Sequence, residues 1–240
     1  MPYSLALAST PIYAFQQSDG FGQLIVVFLF SVSVYLWTIM TIKVLAVHKT
    51  AKLNKQFYEI FEGCNSVVDL VSAQTIKSPA LNIYTAGVFK LMSITNSSPK
   101  DAVNLCQKGH LPDIINDEKV KIIIKSAEHG VDKEALELEK KMTTLSTIVS
   151  ASPFFGLLGT VWGVMAAFTD MAKQGSADIG ALAPGVSGAL LTTVMGLVVA
   201  IPSVIGYNYI NGRISEVIVE MENFVNEFEV KLRSQSYREQ

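Results

Sequence analysis

The chain has 240 residues, 19 of them Lys or Arg and 21 Asp or Glu, for a formal net charge of −2. Charged residues make up 17% of it, against roughly 25% in an ordinary soluble domain, and the mean hydropathy is +0.35. These averages argue against a disordered chain, a strongly basic nucleic-acid binder and a disulfide-stapled secreted module.

Placed along the chain, the charges leave three empty windows. Residues 1–19 carry no Lys or Arg, and Asp19 closes them. Residues 20–42 then hold 23 uncharged residues, rich in Leu, Ile, Val and Phe, with Trp37 near the end. A membrane-spanning helix needs about 20 apolar residues, so the window predicts a first transmembrane helix. No basic segment precedes it, which argues against a cleaved signal peptide. Residues 43–141 read as helical, with breaks at Gly63, Ser78-Pro79, Ser98-Pro99 and Leu111-Pro112. Near their end Val131, Ala135, Leu138, Met142 and Leu145 mark one apolar helix face. That face runs on without a turn signal, predicting one long helix into the second window, residues 142–169. A short loop, residues 170–178, leads to the third window, residues 179–212. Residues 213–240 read as an amphipathic helix continuing from the third span, with Ile214, Val217, Ile218, Met221, Phe224, Val225, Phe228 and Leu232 on one face. Amphipathicity alone leaves open whether this face packs within one subunit or between subunits. The fold class expected is an all-α integral membrane protein, in which two of three transmembrane helices extend into a cytoplasmic helical domain.

Eighteen of the 19 basic residues fall on one side of these spans, and only Lys173 lies between the second and third. The positive-inside rule then puts the N-terminus outside and the C-terminus inside. Cys64 and Cys106 both fall in the inner segment, where thiols stay reduced, and read as small buried residues. His48, His110 and His129 show no metal-ligand spacing, so no metal site is expected. Asn96-Ser97-Ser98 matches a glycosylation acceptor but falls on the inner side. No catalytic arrangement of Ser, His, Asp or Cys and no phosphate-cradling glycine loop is present, so the chain does not read as an enzyme.

The second and third windows differ from the first in being rich in small and hydroxyl residues. Gly156, Gly159 and Gly163 lie on the second, and Gly188, Thr192, Gly196 and Ala200 recur every four residues on the third. Such stripes let helix backbones approach closely. Hydroxyls also concentrate here, among them Ser150, Thr160, Ser187, Thr192 and Thr193. A single hydroxyl is satisfied by its own helix carbonyl, but a run on two neighbouring helices fits a water-containing lumen. Pro153, Pro184 and Pro202 distort helices and are tolerated where neighbours or water satisfy the freed carbonyl. None of the three windows holds an Asp, Glu, Lys, Arg or His, although proton and substrate pathways usually contain one. Asp170 and Asp178 stand at the outer mouth and read as ordinary loop charges.

The stretch Gly156 to Val164, GLLGTVWGV, followed by Phe168, resembles the second-helix motif of the TolQ/ExbB/MotA family. Ala183 to Asn208, APGVSGALLTTVMGLVVAIPSVIGYN, resembles its third-helix motif, and the tail Glu222 to Leu232 is similar to the TolQ branch more than to the ExbB branch. The resemblance implies a homo-oligomeric ring, usually a pentamer, in the bacterial inner membrane, with residues 1–19 and 170–178 in the periplasm. It implies a lumen lined by helices two and three that holds the single transmembrane helices of a TolR- or ExbD-like dimer. An Asp of that partner would take up and release protons, and the motion would pass to a TolA- or TonB-like protein. No cofactor is implied, only a transmembrane proton gradient. Thr160 and Thr193 match the family's lumen threonines, and Pro153 and Pro184 match positions that shape the lumen. The chain departs from the pattern at Gly188, a lumen position by this resemblance, where TolQ and ExbB carry a Glu. Three functional readings follow: a Tol-type transducer, an ExbB-type energiser of outer-membrane uptake, and a non-conducting scaffold that has lost proton coupling. Three spans without a charged substrate site argue against a solute transporter.

Overall fold

The structure is a computed structural model that describes residues 11–71, 76–98, 101, 115–174 and 179–236. All regular structure among them is helical. After a short helical stretch at residues 11–17 come α1 (Gly20–Glu62), a 3₁₀ turn (Asp69–Val71), α2 (Pro79–Thr95), α3 (Asp117–Glu139), α4 (Met142–Gln174) and α5 (Ile179–Ser236). Three stretches are long and apolar enough to cross a membrane, in α1, in the α3–α4 run and in α5.

Local chemistry sets the helix ends. The Asp19 carboxylate accepts from the Gly22 amide at 3.0 Å and caps α1. Ser78 caps α2 by accepting from the Leu81 amide, with Pro79 at the first helical position, where its missing N–H is not needed. Asn116 caps α3 through the Lys119 amide. Asn96, with φ 47°, ends α2 in the left-handed region.

The sequence predicts one helix through residues 131–145, and the structure corrects this. Lys141 has φ 69°, and the helical ladder stops at Glu139 and restarts at Met142. The break leaves carbonyls at the end of α3 without helical partners. The Lys43 ammonium donates to one of them, Leu138 O, at 2.7 Å. Nothing in the apolar periodicity marks this break, because Val131, Leu138, Met142 and Leu145 are all buried on either side of it.

The chain divides into two compact units. One holds the described residues up to Ile42 together with Lys141–Tyr209, and the other holds Lys43–Lys140 and the described residues from Ile210 on. The second unit is built on large side chains. Phe57, Phe61, Tyr84, Phe224 and Phe228 form a continuous ring cluster with centroid separations of 5.0–6.5 Å. All five rings are buried. Gly87 lets Phe228 reach the α2 backbone, and Gly130 lets α3 reach the backbone of Ile83. The apolar tail face, from Ile214 to Leu232, is therefore buried within its own chain, the choice amphipathicity left open; only Ile218 on it is partly exposed. Lys231 closes the end of α1 by donating to Phe61 O at 2.7 Å and Cys64 O at 2.8 Å, while its ammonium sits 4.4 Å from the Phe61 ring.

Candidate functional site

The first unit is built on the opposite principle, small residues in close approach. A Cβ on Gly156 would lie 2.8 Å from the Thr192 carbonyl oxygen, and one on Gly196 would lie 2.9 Å from the Ser152 carbonyl oxygen. Gly159 faces the Thr192 side chain, and Gly163 faces Ala189. Ala200 is buried on the same helix. These residues bring the backbones of α4 and α5 together with no room for a side chain between them.

That contact gathers three hydroxyls. Thr160 on α4 hydrogen-bonds to Thr193 on α5 and reaches Ala189 O at 2.9 Å. Thr192 Oγ1 lies 2.9 Å from Gly156 O and 2.7 Å from Ala189 O. Thr193 Oγ1 lies 3.3 Å from Gly156 O, and Thr160 and Thr192 are 3.3 Å apart. Each hydroxyl has one proton to give. The three together share two backbone carbonyls, so the network must order itself in one of a few proton arrangements. Thr192 is fully buried, whereas Thr160 and Thr193 keep an accessible side. The paired hydroxyls hydrogen-bond as neutral groups and cannot hold a charge near neutral pH.

The other residues singled out from sequence are spread more widely. Ser150 is exposed on α4, and Pro153, Pro184 and Ser187 are half-buried within α4 and α5. At Gly188 the nearest neighbour is Ser18. A Cβ there would lie 2.7 Å from Ser18 Cα, so α5 packs at this point against the segment that precedes α1. A side chain at 188 would displace that segment. The same segment is tied to α4 by Asp19, which accepts from Trp162 Nε1 at 3.0 Å, with Phe21 and Trp162 rings 4.7 Å apart. Most remaining span hydroxyls bond to the carbonyl four residues back, as Ser152, Ser203, Thr147 and Thr169 do.

Thr192, which stands both on the four-residue stripe and in the hydroxyl run, reaches the same two carbonyls as Thr160, those of Gly156 and Ala189. Its adjacency to Thr193 was the available signal. The Asp19–Trp162 pair spans 143 positions and left no local signal. Asp170 pairs with Lys173 on the surface at 2.9 Å, and Asp178 lies outside the described residues, as do Cys106, His110 and the Leu111-Pro112 break. Cys64 is half-exposed and donates to Ile60 O. Among the described residues no three His, Cys, Asp or Glu gather as metal ligands.

Comparison with known proteins agrees with this architecture. The profile of the MotA/TolQ/ExbB proton channel family matches residues 97–223. The Tol-Pal system protein TolQ of Haemophilus influenzae is 29% identical over 219 residues, covering 90% of each chain. TolQ of Pseudomonas aeruginosa is 35% identical over 50% of this chain and 52% of its own. The biopolymer transport protein ExbB of Xanthomonas campestris pv. campestris is 41% identical over 41% of this chain and 39% of its own.

Proposed function

The chain belongs to the MotA/TolQ/ExbB proton channel family, and from that premise we propose that it is the ring subunit of a Tol-type energy transducer in the bacterial inner membrane. In this reading several copies, five by family resemblance, surround the single transmembrane helices of a TolR-like dimer. The N-terminus is periplasmic and the C-terminus cytoplasmic, as the basic residues favour. Proton flow down the gradient moves ring and partner relative to each other, and a TolA-like protein carries that motion to the outer membrane.

The observation that carries the reading is the Thr160–Thr193 pair, held across α4 and α5 with one side accessible. It offers hydroxyls to a titrating group and contains none itself, and the three charge-free windows supply none either. The carboxylate that moves the proton therefore comes from the partner's helix. Tol-type work is preferred to ExbB-type work because the TolQ relative from Haemophilus influenzae matches over 90% of both chains, whereas the ExbB match covers 41% of this one.

The test is reconstitution of the chain with its single-helix partner and measurement of proton flux, with and without the partner's membrane Asp. Flux that depends on that Asp is expected. Its absence from an intact complex would leave the non-conducting scaffold. Depletion in cells separates the two transducer readings: envelope leakage is the Tol outcome, and poor growth on scarce iron is the ExbB outcome.

A further inference from the structure

The second unit has an open cavity of about 630 Å³ between α1 and α5, outside the hydroxyl site. His48, Lys52, Lys55 and Tyr58 line it from α1, and Arg213 and Glu220 from α5. We propose that it is a binding site for the phosphate of an anionic phospholipid on the basic side of the membrane.

Three observations carry this. The first is position. Arg213 is the first charge after the 34-residue uncharged window of α5. On α1 the run Val44–Val47 is apolar, and Lys43 just before it is directed to Leu138 O. His48 and Arg213, each at the end of an apolar stretch, thus line the same cavity. Lys52 lies one further helical turn along, about 6 Å, and long basic side chains reach back toward the interface.

The second is charge. Lys52 and Lys55 form no ion pair among the described residues, and Arg213 pairs with Glu216 through Nη1. Lys52, Lys55 and Arg213 line the cavity with one lining carboxylate, Glu220; Glu216 engages Arg213 at Nη1 and leaves its Nε, and Glu227 acts on Tyr58 without lining the cavity. The third is unmet hydrogen-bonding capacity. Tyr58 Oη and Arg213 Nε are both enclosed and meet no hydrogen-bond partner in the protein. The Tyr58 ring is held by stacking on Phe224, centroids 5.3 Å apart. Burial, and then the charges of Glu220 and Glu227, push its phenol pKa well up, so Tyr58 keeps its proton and is a donor. Ammonium, guanidinium and phenol donors around one opening match a phosphodiester. A choline headgroup would add its own cation to a cationic wall, whereas a glycerol headgroup adds none.

This inference does not depend on the transducer reading. The test uses the full chain purified in detergent, with dioctanoyl phosphatidylglycerol or dioctanoyl phosphatidylcholine, and retained lipid counted by native mass spectrometry. Wild type is expected to retain the phosphatidylglycerol about 10-fold better than the phosphatidylcholine. Lys52→Gln, Lys55→Gln and Arg213→Gln combined should abolish that preference. Tyr58→Phe, which keeps the ring stacking, should weaken retention about 3-fold, and Lys125→Gln on α3, which does not line this cavity, should leave it unchanged. Equal retention of the two lipids, or an unchanged preference in both the combined and the Tyr58→Phe variants, overturns the site. Displacement of phosphatidylglycerol by an equal concentration of inorganic phosphate would assign the cavity to a free phosphate and overturn the lipid.

Discussion

The two units of this chain solve the packing problem in opposite ways. The one that holds the spans brings α4 and α5 together on Gly156, Gly159, Gly163 and Gly196, where backbone meets backbone. The one beyond the spans fills its interior with Phe57, Phe61, Tyr84, Phe224 and Phe228. The difference follows from the solvent. In water, large apolar rings stabilise a core because burying them removes area from water, at about 25 cal/mol per Å². In lipid that gain disappears, and close contact and interhelical hydrogen bonds take its place. The same helix, α5, obeys one rule before Tyr209 and the other after it.

Substitutions should separate the two rules. The largest effect is expected for Phe228→Ala, which opens a cavity in the ring cluster and should cost about 3–5 kcal/mol, read as a lowered midpoint of thermal unfolding. Gly156→Val should come next, at about 1–3 kcal/mol, because its Cβ would lie 2.8 Å from a backbone oxygen that cannot rotate away. A gain of stability there would show that apolar area, not close approach, decides packing in the spans. Thr160→Val and Thr193→Val remove hydroxyls while keeping shape and should cost about 0.6 kcal/mol each. Their expected signature is lost proton flux in assembled rings, and equal loss of assembly would make them packing residues only. The smallest effect concerns Asp117. Hydrogen bonds from Arg233, then Lys121, hold its carboxyl below the usual carboxylate range. A depressed folded-state pKa stabilises the protein above the ordinary value, about 3.9. That contribution is lost as pH falls toward the lowered value. Asp117→Asn should therefore lower the unfolding midpoint slightly at pH 7, and the difference should vanish on acidification.

Much of this was legible in the chain. The charge-free windows marked the spans because a span cannot hold charge cheaply. The tail face from Ile214 to Leu232 was readable from its period, and the glycine stripes from their four-residue spacing. Three features were hidden. The break at Lys141 carries no glycine or proline signal. The nearest neighbour of Gly188 is Ser18, more than a hundred residues away in sequence. The Asp19–Trp162 bond and the basic cavity join positions that no periodicity connects.

The sequence by itself determined the number of spans, the helical class and the family resemblance. Each depends on local composition or on a motif within one helix. Only the tertiary structure decided what the stripes and faces meet. It placed three threonines around two carbonyls, folded the amphipathic tail onto its own chain and set Ser18 against Gly188. A helix period states which residues share a face; which surface covers that face depends on the other helices, and the hydroxyl network exists only where two backbones approach.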